Sequence, residues 1–295
     1  MRNRASAWFT FRLEGLQILR AAALENYPWL VHGFSTRAGG TSRLAGKRVL
    51  NLGHTDWDTR SHVRANRAKL LGALGAEQMK LVTVRQLHSD MIHELTEAPA
   101  KAISGDALIT RTPGLVLGVQ TADCVAILLV DPHQRAVAAI HAGWRGTLRR
   151  LAAKTLGRMQ MVFGTRAEEV IAVLGPAIGQ CCYEVGPEVA QGYAGQFSQA
   201  RKWFDGPFDQ LAAGEDSTPL KWLTRAPPGH EPPPSRVRLD LLAANHWQLV
   251  DAGVKPSNIV ASDLCTACRT DLFFSYRREL GCTGRMLAVI GLTAE

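Results

Sequence analysis

A thiol and an imidazole able to share one metal ion or one proton stand 17 residues apart, at Cys124 and His141. Two apolar runs, Val125 to Val130 and Ala136 to Ile140, flank Asp131-Pro132-His133-Gln134. A Pro-containing four-residue turn between such runs predicts a β-hairpin. With those four residues as the loop, Val130 pairs with Arg135 and Cys124 falls opposite His141. Opposed residues on antiparallel strands share a face, with Cβ atoms about 4.5–5.5 Å apart. Behind His141, Gly143-Trp144-Arg145-Gly146 opens a helix with Thr147 as its expected cap, and the free N–H groups of a helix start attract anions. A soft ligand, a nitrogen ligand and an anion site therefore converge.

A catalytic metal site takes three protein ligands. Lys80 to Gln86 alternates like a strand and delivers Leu87-His88-Ser89-Asp90 at its end. A His at a strand end is more often structural than a ligand, but beside a two-ligand site His88 is a candidate third. Asp123 neighbours Cys124 on the strand and points to the opposite face, which makes it a structural residue here. Arg37 precedes Gly39-Gly40 in a glycine-rich loop, where backbone and guanidinium can both approach a ligand. Cys265-x-x-Cys268 reads as half a structural zinc site, a redox pair or two packed thiols. A full zinc site needs four ligands, and no second pair stands at suitable spacing, with only Cys282 nearby. Packed thiols are the expectation for it.

Composition narrows the partners. The 295 residues are 46% apolar with a net charge of +8, and 26 Arg outnumber 8 Lys. The arginines are scattered, without a basic run or interleaved aromatics, so a nucleic-acid surface is not expected. No apolar run approaches the roughly 20 residues of a membrane span. The N-terminus starts basic, but Arg12 and Glu14 interrupt what a signal peptide needs as its apolar core, so a cytoplasmic protein is expected. Adjacent Cys181 and Cys182 make a poor disulfide framework, and reduced thiols suit that compartment.

The elements that must position these groups follow from periodicity. The first 25 residues predict a short strand and then a helical stretch. Val63, Leu70 and Leu71 predict an amphipathic helix over Thr59 to Ala73. Strands are expected at Asp106 to Ile109, Leu115 to Val119, Val170 to Leu174, Phe273 to Arg278 and Met286 to Ile290. Helical stripes run from Leu148 to Met159 and from Val237 to Val250, and Pro187 suits a helix start. From Asp205 to Ser235 the pattern dissolves into Pro, Gly and charge, read as a surface insertion in a single domain spanning 1–295.

Taken in order, the segments from about Leu30 to Leu292 resemble the YfiH-type polyphenol oxidase family, also called peptidoglycan editing factor or purine nucleoside phosphorylase family. The resemblance rests on S-T-R-A-G-G at 35–40, N-L-G-H at 51–54, Q-L-H-S at 86–89, T-A-D-C at 121–124, H-A-G-W-R-G at 141–146, G-P-A-I-G-Q-C-C-Y-E-V-G at 175–186 and F-F-S-Y-R-R at 273–278. It implies a zinc ion on His88, Cys124 and His141, with these three also catalytic. Arg37, Asn51 and Arg145, from three of the motifs, are the expected substrate-binding residues. Ala126 stands where the family has Pro, and Thr55-Asp56-Trp57 replaces its acidic turn. These departures bear on substrate selectivity. The implied fold is an α+β, α/β/β/α sandwich of the YfiH-type, cytotoxic necrotizing factor-like kind, although strand–helix alternation alone suits a doubly wound sheet equally well.

The implied substrates are purine nucleosides, namely adenosine, inosine, guanosine and methylthioadenosine, with phosphate or a zinc-activated water as nucleophile. Arg37 and Arg145 can hold anions through fork-shaped hydrogen bonds. A second implied activity removes wrong amino acids from cell-wall precursors. Two His and a Cys are also a blue-copper set, but multicopper oxidation needs a further cluster built from His-x-His pairs, and the nine histidines contain none. A Cys–His hydrolase with Cys124 as nucleophile is the remaining catalytic reading. A pure binding module would tolerate loss of Cys124.

Overall fold

The computed structural model describes residues 7–212 and 236–294. Near its start, Glu14 and Gly15 take positive φ (47° and 80°) and fold β1 (Trp8–Leu13) against β2 (Leu16–Ala21). The helical stretch expected here shrinks to Ala22–Leu24, because the second apolar segment pairs on both sides as a strand. β3 (Leu30–Ser35) continues the sheet, and β4 (Ser42–Leu44) with β5 (Lys47–Val49) forms a small hairpin. α1 (Arg60–Ala73) is the expected helix: the Thr59 side chain accepts the His62 amide as N-cap, and Val63, Leu70 and Leu71 are buried.

Five strands lead through the central hairpin and its flank: β6 (Lys80–Thr83), β7 (Ile92–Glu94), β8 (Ala107–Thr110), β9 (Leu115–Thr121) and β10 (Val125–Asp131), which turns back as β11 (Ala136–Ala142). The hairpin register differs from the one counted from the turn. Asp131 pairs with Ala136 and Ala126 with His141, so the loop is Pro132 to Arg135. Asp131 stays in the strand because its Oδ1 accepts the amides of His133 (2.9 Å) and Gln134 (3.0 Å) and starts the turn there. A shift of two leaves every side chain on its own face. Cys124 and His141 therefore remain on one side, but as diagonal neighbours.

After β11 the expected helical stripe breaks into α2 (Trp144–Leu148) and α3 (Leu151–Phe163), with Arg150 at φ 60° between them. Thr147 is not the cap. Gly143 holds that position, while Thr147 is buried inside α2 and its amide donates to the Gly143 carbonyl at 2.9 Å. β12 (Ile171–Leu174), β13 (Glu184–Val185) and α4 (Pro187–Gln196) follow, with Pro187 in the first turn. The stretch expected to lack pattern from Asp205 begins instead with regular elements, β14 (Phe204–Asp205) and α5 (Phe208–Ala212), because Phe204 and Phe208 are buried in the core. The rest of that expected insertion, 213–235, lies outside the described residues. β15 (Val237–Leu239) precedes α6 (Leu241–Asp251), whose start is set by Asp240 accepting the Ala243 amide at 2.8 Å. β16 (Ile259–Ala261) and β17 (Met286–Leu292) complete the list. Phe273 to Arg278 is a turn and not a strand: the Asp123 carboxylate takes the Arg277 amide, and Glu279 N donates to Ser275 O.

Two six-stranded sheets result, in the orders β1-β2-β3-β17-β9-β6 and β16-β12-β10-β11-β8-β7. Pairing is antiparallel except for β6 with β9, β7 with β8 and β12 with β16. Ala126, Leu128, Val130, Val137 and Ala139 of the second sheet meet Leu117, Val119 and Ile290 of the first. The opposite faces of β10 and β11 pack under α3, α4 and α6, while α1 covers the outer face of the first sheet. The layers are thus helix, sheet, sheet, helix, the α+β sandwich and not a doubly wound sheet. Coverage on both faces is why Val125 to Val130 in β10 and Ala136 to Ile140 in β11 are uninterrupted apolar runs with every residue buried. Truncating Leu128, fully enclosed between the sheets, to Ala costs about 2–5 kcal/mol. Among the described residues no helix is long and apolar enough to cross a membrane.

Candidate functional site

Cys124 precedes β10 with the parity of Ala126 and Leu128, and His141 shares the parity of Val137 and Ala139. Both sets face the first sheet. At this end the apolar filling between the sheets stops, and His88, on the loop after β6, closes the third side. The ligand atoms of His88, Cys124 and His141 all lie within 4.8 Å of one another. Cys124 Sγ is 3.9 Å from His88 Nε2, and the two imidazole rings stand edge to face, 5.0 Å between centroids. Gly143 makes the room, since a Cβ there would lie 2.9 Å from His88 Cδ2 and 3.0 Å from Cys124 Sγ.

Behind the histidines sits Asp106, which the sequence pattern marks only as the head of a strand. Its Oδ1 accepts from His141 Nδ1 (2.9 Å) and from the His88 amide (3.1 Å). Its Oδ2 accepts the amides of Leu87 (3.1 Å) and Ser89 (2.7 Å) and the Ser89 hydroxyl (2.6 Å). Three successive amides gathered by one carboxylate account for His88 adopting φ 57°, a conformation that costs a non-glycine residue energy. Burial pushes the Asp106 carboxyl up, but the bonds from His141 and Ser89 outweigh it and hold the group well below the usual carboxylate range. An ionised Asp106 fixes the proton of His141 on Nδ1 and leaves Nε2 as the ligand atom.

Burial also pushes the Cys124 thiol up, yet the charge on His141 and hydrogen bonds with His141 and His88 draw it down to about 6. Burial disfavours charge on His141, but the Cys124 thiolate and Asp106 carry it up to about 9. The thiolate is the form a metal takes, and a metal at His141 would replace the proton on Nε2. The donor set fits zinc: bonds of about 2.3 Å to sulfur and 2.0–2.1 Å to nitrogen space tetrahedral ligands roughly 3.5 Å apart, close to the separation found here. Three protein ligands leave one position free.

These three residues line a cavity of about 790 Å³. Trp144, Tyr183 and Tyr276 give it aromatic walls, and Arg67, Arg85, Arg145, Arg277 and Arg285 surround it with positive charge. Among the described residues Asp123 is the one acid in the lining, and both its oxygens are engaged, by Thr266 Oγ1 (2.6 Å) and the Arg277 amide (2.7 Å). Arg67 donates from Nε to Leu52 O at 2.9 Å, while its buried Nη2 has no hydrogen-bond partner among the described residues.

Of the expected substrate-binding residues, Arg145 reaches the cavity, its guanidinium 4.3 Å from the Trp144 ring centroid. Arg37 does not line it. It donates to Thr270 O, Phe273 O and Glu279 Oε1 and stacks on Phe274, bracing the turn that carries Tyr276 and Arg277. Asn51 is buried behind the wall, where its Oδ1 accepts the Arg285 amide at 2.9 Å. The helix start expected to hold an anion is the first turn of α2, which has five residues, and Trp144 and Arg145 from it line the cavity. Arg67 and Arg285 went unread because each belongs to a different element and only the fold aims them at one cavity. Cys265 and Cys268, expected as packed thiols without a second pair, meet that pair in Cys181 and Cys182, with the four sulfurs within 4.8 Å of one another.

Residues 31–293 match the family model described as multi-copper polyphenol oxidoreductase laccase. The chain is 39% identical over 280 residues to a purine nucleoside phosphorylase of Deinococcus radiodurans, covering 94% of each chain. It is 34% identical over 257 residues to adenosine deaminase RL5 of an unknown prokaryotic organism, covering 84% of this chain and 88% of that one. The crystal structure of the Bacillus licheniformis hypothetical protein YfiH has the same fold, with a TM-score of 0.80 at 31% identity over 98% of this chain and 100% of that chain.

Proposed function

Since the chain belongs to the multi-copper polyphenol oxidoreductase laccase family, we propose that it is a zinc-dependent purine nucleoside enzyme that cleaves nucleosides with phosphate and deaminates adenosine. The observation that carries this reading is the cavity itself: aromatic walls and five arginines around a His, Cys, His group with an open side. His88, Cys124 and His141 would hold the zinc, which when bound would supply a Lewis acid able to activate water near neutral pH.

The protein's own groups do the rest. Trp144, Tyr183 and Tyr276 offer faces on which a purine stacks. The free Arg67 Nη2, with Arg145 and Arg285, meets the charge of phosphate in a site partly screened from water. In phosphorolysis a phosphate oxygen bonds to the ribose C1′ while the bond to the purine nitrogen breaks and the base leaves with the electron pair. Asp106 keeps the His141 proton on Nδ1 and both imidazoles fixed throughout. Multicopper oxidation would need a further histidine cluster, and among the described residues the second group that could hold a metal is made of cysteines alone, so zinc is the preferred reading.

The volume of about 790 Å³ sits high in the range of roughly 300–1,000 Å³ usual for small-ligand sites. It favours, as the second reading, hydrolytic removal of an amino acid from a cell-wall precursor. The deciding experiment is a product assay with adenosine, inosine, guanosine and methylthioadenosine, with and without phosphate, on protein of measured metal content. The expected products are free base and ribose 1-phosphate when phosphate is present, and inosine from adenosine when it is absent. No turnover of any of the four, with amino-acid release from a cell-wall precursor, would replace the first reading by the second. Turnover by metal-free protein that alkylation of Cys124 abolishes would support the Cys–His hydrolase chemistry instead.

A further inference from the structure

We propose that Cys181, Cys182, Cys265 and Cys268 bind a second zinc ion as a closed tetrathiolate site that fastens together the two loops beside the cavity. The four sulfurs come from segments more than 80 residues apart and still lie within 4.8 Å of one another. Three of the separations are 3.7 Å (Cys181 to Cys182), 3.6 Å (Cys181 to Cys268) and 3.4 Å (Cys182 to Cys268). A tetrahedron with zinc–sulfur bonds of about 2.3 Å has edges of about 3.8 Å, whereas a disulfide needs about 2.05 Å. The sulfurs thus stand nearly where the corners of a zinc tetrahedron fall.

The surroundings are those of a metal site. A bridge between Ala177 and Cys265, with the Thr266 amide donating to Ala177 O at 3.0 Å, holds the two segments in register. The Gly179 amide donates to Cys265 Sγ at 3.2 Å, the kind of bond that steadies a metal-bound thiolate. A Cβ at Gly179 would lie 3.2 Å from Cys265 Cβ and 3.3 Å from Cys181 Sγ, so the glycine keeps that corner open. Cys181 and Cys268 are exposed, which gives the ion a way in. Four sulfur donors select zinc or an iron–sulfur cluster, and four protein ligands leave no position for substrate.

The site has a use for its neighbours. Cys182 is followed by Tyr183, an aromatic wall of the cavity. Cys265 is followed by Thr266, which holds Asp123 beside Cys124. A closed metal knot between these loops sets both without touching substrate.

The test is the metal content of the full-length protein, expressed with added zinc and passed over a chelating resin, measured by elemental analysis against amino-acid analysis. The expected result is about two zinc ions per chain, falling by one in Cys182→Ser/Cys268→Ser and by a different one in Cys124→Ser. If the double variant fails to fold, the wild-type protein still decides: stepwise thiol modification should release zinc in proportion to the tetrad cysteines that react. Refilling with Co2+ should give the ligand-field bands of a sulfur-only tetrahedron. Zinc content unchanged by the double substitution would overturn the assignment. So would tetrad thiols that react without releasing metal, a mass showing disulfides, or iron in place of zinc. A wild-type protein that holds one zinc, lost in Cys182→Ser/Cys268→Ser and kept in Cys124→Ser, would count against the proposed function and leave this inference standing.

Discussion

Two groups of soft ligands lie close together here and differ in what completes them. His88, Cys124 and His141 number three, with a carboxylate behind and a cavity of about 790 Å³ in front. Cys181, Cys182, Cys265 and Cys268 number four and satisfy a tetrahedron by themselves. With zinc, three protein ligands leave a reactive corner and four do not. In the first group Cys124 and His141 sit at one end of the buried hairpin, where the sheet fixes side-chain direction, and His88 is set by the loop that Asp106 gathers. The second joins two loops that no sheet holds, apart from one bridge at Ala177 and Cys265. One arrangement suits chemistry, the other attachment.

The sharpest break in that comparison is Cys124→Ser. Activity on nucleosides should fall by roughly 10³-fold or more, the loss of several kcal/mol of metal assistance, while the tetrad zinc stays. A variant that loses both ions, measured by elemental analysis, would mean that the two groups are one cooperative unit. Next comes Asp106→Asn. An amide cannot accept from His141 and from three backbone N–H groups at once, so zinc affinity or kcat/KM should drop about 10–100-fold. Competition with a chromophoric chelator reads the affinity, and an unchanged value would show that Asp106 serves only the backbone.

The two glycines sharpen the contrast further. In Gly143→Ala the new carbon meets His88 and Cys124 at 2.9–3.0 Å, so the ligands themselves must move. Activity should fall at least tenfold, about 1.4 kcal/mol of barrier. In Gly179→Ala the contacts are 3.2–3.5 Å, and the loop can give. Stability should fall by roughly 1–3 kcal/mol, seen as a lower Tm, with activity nearly kept. The reverse ranking would make the tetrad the more demanding of the two sites.

How much of this was legible in the sequence depended on distance along the chain. Cys124 and His141 could be paired because the hairpin is local and its period is two; a register error of two residues changed the partner but not the face. His88 is only a candidate from its strand-end position, and it is the resemblance, through Q-L-H-S, that adds it to the pair. Asp106 was missed because its role consists of bonds to residues 17–19 and 35 positions away, which exist only once β8 lies beside β11. The tetrad stays hidden for the same reason at greater range: adjacent Cys181 and Cys182 read as a poor disulfide framework and as reduced thiols, and nothing local announces that Ala177 pairs with Cys265. Arg37 and Asn51 sit in motifs the resemblance rests on, yet the fold uses them to brace the turn at Tyr276 and the amide of Arg285. A motif marks a constrained position; which side of the wall it occupies is a property of packing.

The smallest expected effect belongs to Arg145→Lys, and it asks whether the open site owes its anion affinity to guanidinium geometry. Arg145 is exposed at the cavity edge, with its guanidinium over Trp144 at 4.3 Å. Lysine keeps the charge but loses the planar fork and most of the stacking. A surface cation–aromatic contact is worth about 0.5–1 kcal/mol, so KM for phosphate should rise roughly two- to fivefold. The kcat and the zinc in both sites should stay as they are. A Tm that falls while the phosphate titration is unmoved would mean that Arg145 only packs on Trp144, and would pass the anion to Arg67 with its free Nη2 or to Arg285. A phosphate KM raised to the same degree by Arg67→Lys would show that the charge is shared around the rim. Because the tetrad has four ligands and no free corner, none of these arginine changes should alter its zinc, and measuring that zinc alongside KM keeps the two sites apart in one experiment.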